Sequence, residues 1–251
     1  MRETDFIGGF AKGLRVIEAF GEAKPRLTIT DVANETGLDR ATARRCLLTL
    51  SKLGYAHYDG KYFELTPRIL RLGHAYLSAT TLPRLIQPFL DRLSEKVCQS
   101  ASASVLDGNE IVYVARASQK RVMSINLMAG SRLPAYCTSM GRVLLANLSL
   151  SEANHILGTS DRRKLTENTV TDIAALRVEL DRARAQGYAV NNQEIELGLC
   201  SIGVPLMDRK GRVVGAINIG APAAVVPGDQ LAERFLSSML EVQSAVQPLL
   251  G

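Results

Sequence analysis

Apolar positions in the N-terminal third keep a helical period three times and then lose it. Phe10, Leu14, Ile17 and Phe20 lie three to four residues apart, which predicts a helix over 10–20. After a loop around Pro25, Thr30 is read as the cap of a helix over 31–36 that Gly37 ends. Asp39 caps a third helix, from Arg40 to about Leu53, with Ala43, Cys46 or Leu47, Leu50 and Leu53 as its buried stripe and Gly54 as its stop. The period then changes. Tyr55, His57 and Tyr58 precede Asp59-Gly60, and Tyr62, Phe63 and Leu65 follow it, the pattern of a β-hairpin. Thr66-Pro67 opens a further helix to about Ala79, carrying Ile69, Leu70, Leu72, Tyr76 and Leu77, and Thr80, Thr81 and Pro83 break it.

Beyond that break, strands and helices interleave. An amphipathic helix is predicted over 83–97, then strands over 100–106 and 110–117 joined at Asp107-Gly108-Asn109, and a third strand over 121–127. Ser139 is read as the cap of a helix to Leu148. Helices over 152–157 and 172–186, a short strand over 188–191, a strand pair over 201–207 and 212–219, and a helix over 229–246 complete the chain. Hairpins without a βαβ glycine fingerprint predict an α+β fold with an antiparallel sheet. Three helices and a hairpin in this order predict a winged helix-turn-helix over 1–66, a linker helix over 67–81 and a second domain over 82–251.

Composition sharpens this reading at one place. Between Arg40 and Arg71 stand seven basic residues, Arg40, Arg44, Arg45, Lys52, Lys61, Arg68 and Arg71, against Asp59 and Glu64. That stretch carries the whole formal net charge of +5. Basic charge on the third helix and the hairpin tip suits double-stranded DNA. The helix would lie in the major groove, where Arg40, Arg44 and Arg45 can read guanine and the Thr42 hydroxyl can donate or accept. Thr28, Thr30 and Lys52 suit phosphates, and Lys61 a flanking phosphate or the minor groove. The apolar side of 67–79 offers a homodimer surface, so that two copies read two half-sites. Arg68 and Arg71 are equally well explained as solvated linker residues.

The four cysteines, at 46, 98, 137 and 200, have no metal-site spacing and read as free thiols, with no metal and no cofactor implied. The chain opens without the apolar stretch of a signal peptide and has no run long enough to cross a bilayer, so a cytoplasmic location and no membrane partner are expected. An enzyme is the rival reading of the second domain. The chain has only three histidines, scattered at 57, 74 and 155, and there is no HExxH, phosphate-binding glycine loop or nucleophile elbow. Cys137 with His155 is a remote dyad, read here as a buried structural thiol. Glu194 and Glu196 lack a basic neighbour in sequence and are read as a polar rim or intersubunit ion pairs. Met123, Ile125, Leu127, Tyr136 and Met140 can wall a small ring, with Arg116 or Arg132 as its charge partner.

An ordered set of motifs resembles IclR-type transcriptional regulators. It comprises Gly13-Leu14-x-Val16-Ile17-Glu18-x-Phe20, Asp39-Arg-Ala-Thr-Ala-Arg-Arg45, Leu53-Gly54-Tyr55, Leu133 through Arg142, Gly187-Tyr188, Glu194-x-Glu196-x-Gly198-Leu199 and Val213 through Asn218. Leu106-Asp107-Gly108, Ile111 through Arg116 and Pro134 through Leu144 resemble most the branch that controls aromatic-acid breakdown through the β-ketoadipate pathway. The resemblance implies a GAF-like effector-binding and oligomerisation domain, a homodimer or a dimer of dimers, and an activator that engages RNA polymerase. It implies an effector of the protocatechuate, 4-hydroxybenzoate or β-ketoadipate class. By position it carries the effector site to Ser139, Met140, Asn191, Ser201, Asn218 and Gly220, beside which Met123 and Tyr136 are candidate wall residues. The small-keto-acid branch has an acidic residue and a cysteine at the Asn191 and Ser201 positions, and Gly220 offers no hydroxyl, which points away from glyoxylate and pyruvate. A repressor answering another small organic acid is the alternative.

Overall fold

The computed structural model describes residues 5–21, 23–118 and 127–250. It divides into two units, Met1–Tyr76 and Leu77–Gly251. In the first, α1 (Gly8–Glu18), α2 (Ile29–Thr36) and α3 (Arg40–Lys52) enclose Val16, Val32, Ala43, Leu47 and Leu50, with Phe63 completing the core. α2 begins earlier than the sequence reading placed it, because Thr28 and not Thr30 is its cap. The Thr28 hydroxyl accepts from the Asp31 N–H at 3.2 Å, and the Asp31 carboxylate accepts from the Thr28 N–H at 2.9 Å. This reciprocal box satisfies backbone donors that the helix leaves unpaired, and it holds the Asp31 carboxyl below the usual range. Gly37 turns the chain at φ +67° and Asp39 accepts from the Thr42 N–H at 2.8 Å to start α3. The buried stripe of α3 is Thr42, Ala43, Leu47 and Leu50; Leu53, expected inside, is 53 % exposed.

The hairpin forms as expected, from β2 (Ala56–Tyr58) and β3 (Phe63–Leu65), with Tyr58 stacked on Phe63 at 4.2 Å. Asp59 shapes its tip by accepting from the Lys61 and Tyr62 N–H groups at 2.9 and 2.7 Å. A strand the pattern did not reveal, β1 (Arg26–Leu27), pairs with the other edge of β3. A 3-10 turn, Pro67–Ile69, leads into α4 (Leu70–Ala79), which buries none of its side chains. Only Thr80 is extended before α5 (Thr81–Val97). Pro83 sits in the first turn of α5, where its missing N–H has no partner to lose, and so it starts that helix rather than breaking the previous one.

The second unit is built on a six-stranded antiparallel sheet. Its strands are β4 (Ser100–Asp107), β5 (Glu110–Ala117), β6 (Arg132–Pro134), β7 (Ala189–Asn192), β8 (Leu199–Met207) and β9 (Val213–Pro222), in the order β6-β5-β4-β9-β8-β7. The predicted strand 121–127 lies outside the described residues except for Leu127. The edge strand β6 was not expected. On one face, α5 and α9 (Leu231–Val246) bury Ile86, Leu90, Phe235 and Met239 against Ala101, Ala103, Ile217 and Ile219. On the other, α6 (Ser139–Ala146), α7 (Leu150–Thr159) and α8 (Ile173–Gln186) form a second core around Tyr136, Met140, Leu145, Leu157 and Leu176. α6 is capped by Thr138 rather than Ser139: the Thr138 hydroxyl accepts from the Gly141 N–H at 3.1 Å. All eight residues of α6 are buried.

Candidate functional site

On the first unit, Arg40, Arg44, Arg45 and Lys52 are exposed along α3, and Lys61 is exposed at the hairpin tip. Lys61 lies over the Tyr62 ring at 5.0 Å, with Arg26 over the same ring at 5.1 Å. Thr30 is exposed in the first turn of α2. Two predicted contacts fall elsewhere. Thr42 is buried, its hydroxyl accepts from the Arg45 guanidinium at 3.3 Å, and both residues border an apolar groove between α1 and α3. Thr28 gives both its N–H and its hydroxyl proton to Asp31, which leaves no donor for a phosphate. Beside α3, an apolar groove of about 570 Å³ runs between Phe10, Leu14, Ile17, Leu50, Leu53 and Leu72.

In the second unit, strand register assembles the floor of a cavity. Side chains alternate faces along a strand, so Ser100, Ser102 and Ser104 of β4 all point away from the α5/α9 layer. Ser100 aligns with Gly220, which aligns with Ser201, which aligns with Asn191. In the next row Arg116 aligns with Ser102, Ser102 with Asn218 and Asn218 with Gly203. α6 lies across these rows with its N-terminus on Gly203. A Cβ at Gly203 would stand 2.8 Å from the Ser139 carbonyl carbon, so only glycine admits the helix so close to the sheet. The Ser139 and Ser201 hydroxyls meet at 2.9 Å, and the Ser104 hydroxyl donates to Met140 Sδ at 3.2 Å.

The cavity between floor and helix is lined by Ser100, Tyr113, Arg116, Ser139, Asn191 and Asn218, among others. Its free space is about 30 Å³, room for a water-sized guest. Arg116 donates to the Ser102 hydroxyl at 2.9 Å, and among the described residues no carboxylate pairs with it. Burial lowers its pKa from the ordinary guanidinium value, against an opposing pull from Tyr113; it remains a cation at neutral pH. Burial also pushes Tyr113 up to about 12. The Asn218 Oδ1 is buried without a hydrogen-bond partner among the described residues. Asn191, by contrast, is engaged at both side-chain atoms: its amide donates to the Cys137 carbonyl and its Oδ1 accepts from the Glu194 N–H at 3.3 Å.

The two units match two family models in sequence. Residues 10–60 match the IclR helix-turn-helix domain, and residues 74–247 match the C-terminal domain of the bacterial transcriptional regulator IclR. The chain belongs to the IclR family. The Pca regulon regulatory protein of Pseudomonas putida is 44% identical over 239 residues, 95% of this chain and 82% of that one. A p-hydroxybenzoate hydroxylase transcriptional activator of Acinetobacter baylyi is 38% identical over 241 residues, 94% of this chain and 89% of that one. A crystal structure of an IclR homolog from Microbacterium hydrocarbonoxydans, complexed with 4-hydroxybenzoate, superposes with a TM-score of 0.72 at 25% identity, covering 94% of this chain and 100% of that one. These relatives place the IclR-family chain in the branch around the Pca and p-hydroxybenzoate regulators. It is a DNA-binding transcriptional regulator and not an enzyme.

Six of the predicted positions of this IclR-family protein, Ser139, Met140, Asn191, Ser201, Asn218 and Gly220, do converge on one cavity. Tyr136 does not: its ring is in the core under α6 and its hydroxyl donates to the Arg163 carbonyl. Met123 and Ile125 lie outside the described residues. Of the two candidate cations Arg116 reaches the cavity, whereas Arg132 is paired with Asp107 and Glu110 at 2.8 and 2.7 Å. Sequence reasoning missed Ser100, Tyr113 and Thr138, although the polar alternation of β4 was a signal for the first. It also left Glu194 without a basic partner. Arg142, on the pocket helix, pairs with it at 2.6 Å. Cys137 is buried, and burial raises its thiol to about 12, so it stays protonated; His155 is exposed on α7. Among the described residues no helix is long and apolar enough to cross a membrane.

Proposed function

We propose that this regulator binds a near-palindromic operator as a homodimer and activates transcription when a small aromatic or dicarboxylic acid of the β-ketoadipate pathway occupies the cavity over β4 and β9. The observation that carries the acid is Arg116: a half-buried cation on the cavity floor with a serine hydroxyl as its partner and no carboxylate beside it among the described residues. An incoming carboxylate gains a charge-assisted bond there. Asn218 offers a buried acceptor oxygen, unpaired among the described residues, to a donor at the ligand's far end, and the Ser139 and Ser201 hydroxyls line the path between. Since the free space is narrow, a ring enters as lining side chains turn outward. The activator role is supported by the Acinetobacter baylyi relative, and an aromatic acid by the Microbacterium homolog in complex with 4-hydroxybenzoate.

On DNA, Arg40 and Arg44 face base edges from α3, Thr30 and Lys52 face phosphates, and Lys61 reaches the backbone beside the hairpin. The exposed apolar residues Phe10, Leu14 and Leu72 are the surface that a second copy covers. The acid shifts activity only if it binds one arrangement of the dimer more tightly than another. The experiment is a titration of the protein on its own upstream DNA with protocatechuate, 4-hydroxybenzoate, β-ketoadipate and glyoxylate in turn. One pathway acid is expected to change DNA binding or transcription saturably. Specific DNA binding that no acid alters would overturn the effector assignment while leaving the DNA-binding one intact.

A further inference from the structure

We infer that the buried ion pair between Arg142 and Glu194 is a positioning pair for the effector cavity. It fixes the pocket helix against the loop that follows β7. The inference rests on reading that cavity as the effector site, and it concerns residues that do not line it.

The two charges meet as a fork. Arg142 Nη1 lies 2.6 Å from Glu194 Oε1, and Nη2 donates to Oε2 at 2.8 Å, with the two side chains 3 % and 6 % exposed. A bidentate pair fixes orientation as well as distance. Taken for stability alone this is a poor use of a core position. Desolvating both ions offsets most of their attraction, and apolar side chains of similar volume commonly stabilise as well or better.

What the pair does hold is position. Arg142 belongs to α6, one turn after Ser139 and Met140, and its Nε also donates to the Tyr136 carbonyl at 3.1 Å. It thus anchors the 3-10 turn Ala135–Cys137, which leads into α6, as well as the helix itself. Glu194 follows Asn191 on the opposite wall. Its N–H donates to Asn191 Oδ1 at 3.3 Å, its carbonyl accepts from the Thr169 hydroxyl at 2.7 Å and its carboxylate accepts from the Val170 N–H at 3.0 Å. One ion pair therefore ties together the segment carrying Ser139 and Met140, the end of β7 that carries Asn191 with the following loop that carries Ile195, and the 166–170 turn behind them. Breaking it frees the two cavity walls to separate by the small distances that decide whether a carboxylate and Arg116 meet.

The test uses the full-length protein, with acid affinity measured by calorimetry well below the melting temperature of every variant. Glu194→Gln and Arg142→Lys are expected to weaken acid binding on the order of tenfold, the scale on which outer-shell partners act, while operator binding without acid stays at the wild-type level. Two further variants separate positioning from stability. Arg142→Met with Glu194→Met removes both charges, and is expected to regain melting temperature relative to Glu194→Gln but not acid affinity. Phe235→Leu, in the α5/α9 layer on the other face of the sheet, is expected to lower the melting temperature and leave acid affinity unchanged. Single variants that fold and bind acid like wild type overturn the inference. So does a double variant with wild-type affinity, or an affinity that merely follows melting temperature through all four. A wild-type protein that binds none of the acids removes the effector reading itself, a result distinct from each of these.

Discussion

Arg116 stands where a guanidinium is half withdrawn from water against one serine, and the arrangement is stable only because part of the charge still reaches solvent or a ligand. Replacing it with glutamine keeps a donor toward Ser102 and removes the charge. Arg116→Gln is expected to weaken acid binding by about 2–5 kcal/mol, the range for truncating one partner of a buried charge pair, without lowering the melting temperature of the free protein. Calorimetry beside thermal unfolding checks both halves, and unchanged affinity would put the carboxylate elsewhere. On α3 the exposed Arg44 and the hairpin's Lys61 separate two kinds of DNA contact. Arg44→Ala is expected to lose about 1–3 kcal/mol on the operator and much less on scrambled DNA, whereas Lys61→Ala weakens both alike and lowers the salt slope by about one. A fluorescence-anisotropy salt series on both DNAs distinguishes them. Residues of this exposed kind were legible in the sequence, because charge clustering needs no knowledge of partners. Ser102 and Arg116 were not paired there, since cross-strand register decides which residues are neighbours and one residue of slip moves each to the other face.

Among the elements, α6 has the most exacting fit. Its N-terminus is admitted by Gly203 below and by Gly141, where a Cβ would collide with the Ala135 carbonyl oxygen. Gly203→Ala is expected to destabilise the protein by about 1–3 kcal/mol, as overpacking does, and to weaken acid binding as Ser139 lifts from Ser201. Thermal unfolding and calorimetry of the same sample check it, and an alanine tolerated in both would mean that the helix is free to shift. Element type was readable along most of the chain, because periodicity reports which face is buried. Element ends were less so. Thr28-x-x-Asp31 was a capping box in plain view, yet Thr30 sat closer to the apolar run. Thr138 and Ser139 are two adjacent hydroxyls, only one of which turns back to the Gly141 N–H. β1 is two residues long, too short for any period to register.

At the scale of the molecule, the two-part architecture followed from the change of pattern after the hairpin, and the motif order carried the family. The pairing of Arg142 with Glu194 did not follow, because fifty-two positions separate them and the fold alone brings them within reach. The assembly can be tested through the apolar groove of the first unit. Leu72→Glu is expected to shift sedimentation toward the monomer and to weaken operator binding at least tenfold, with acid binding retained; an unchanged sedimentation profile would move the dimer surface elsewhere. α4 adds a consequence of its own. At ten residues, with no side chain buried, it is shorter than the roughly 12–15 residues at which helices persist alone in water. On the proposed homodimer, in which a second copy covers Leu72, its winding would follow concentration: dilution should unwind it and crowding copies together should rewind it, visible as circular dichroism that deepens with concentration. In a cell the regulator's own abundance would then set how stiff the link is between what it senses and what it reads.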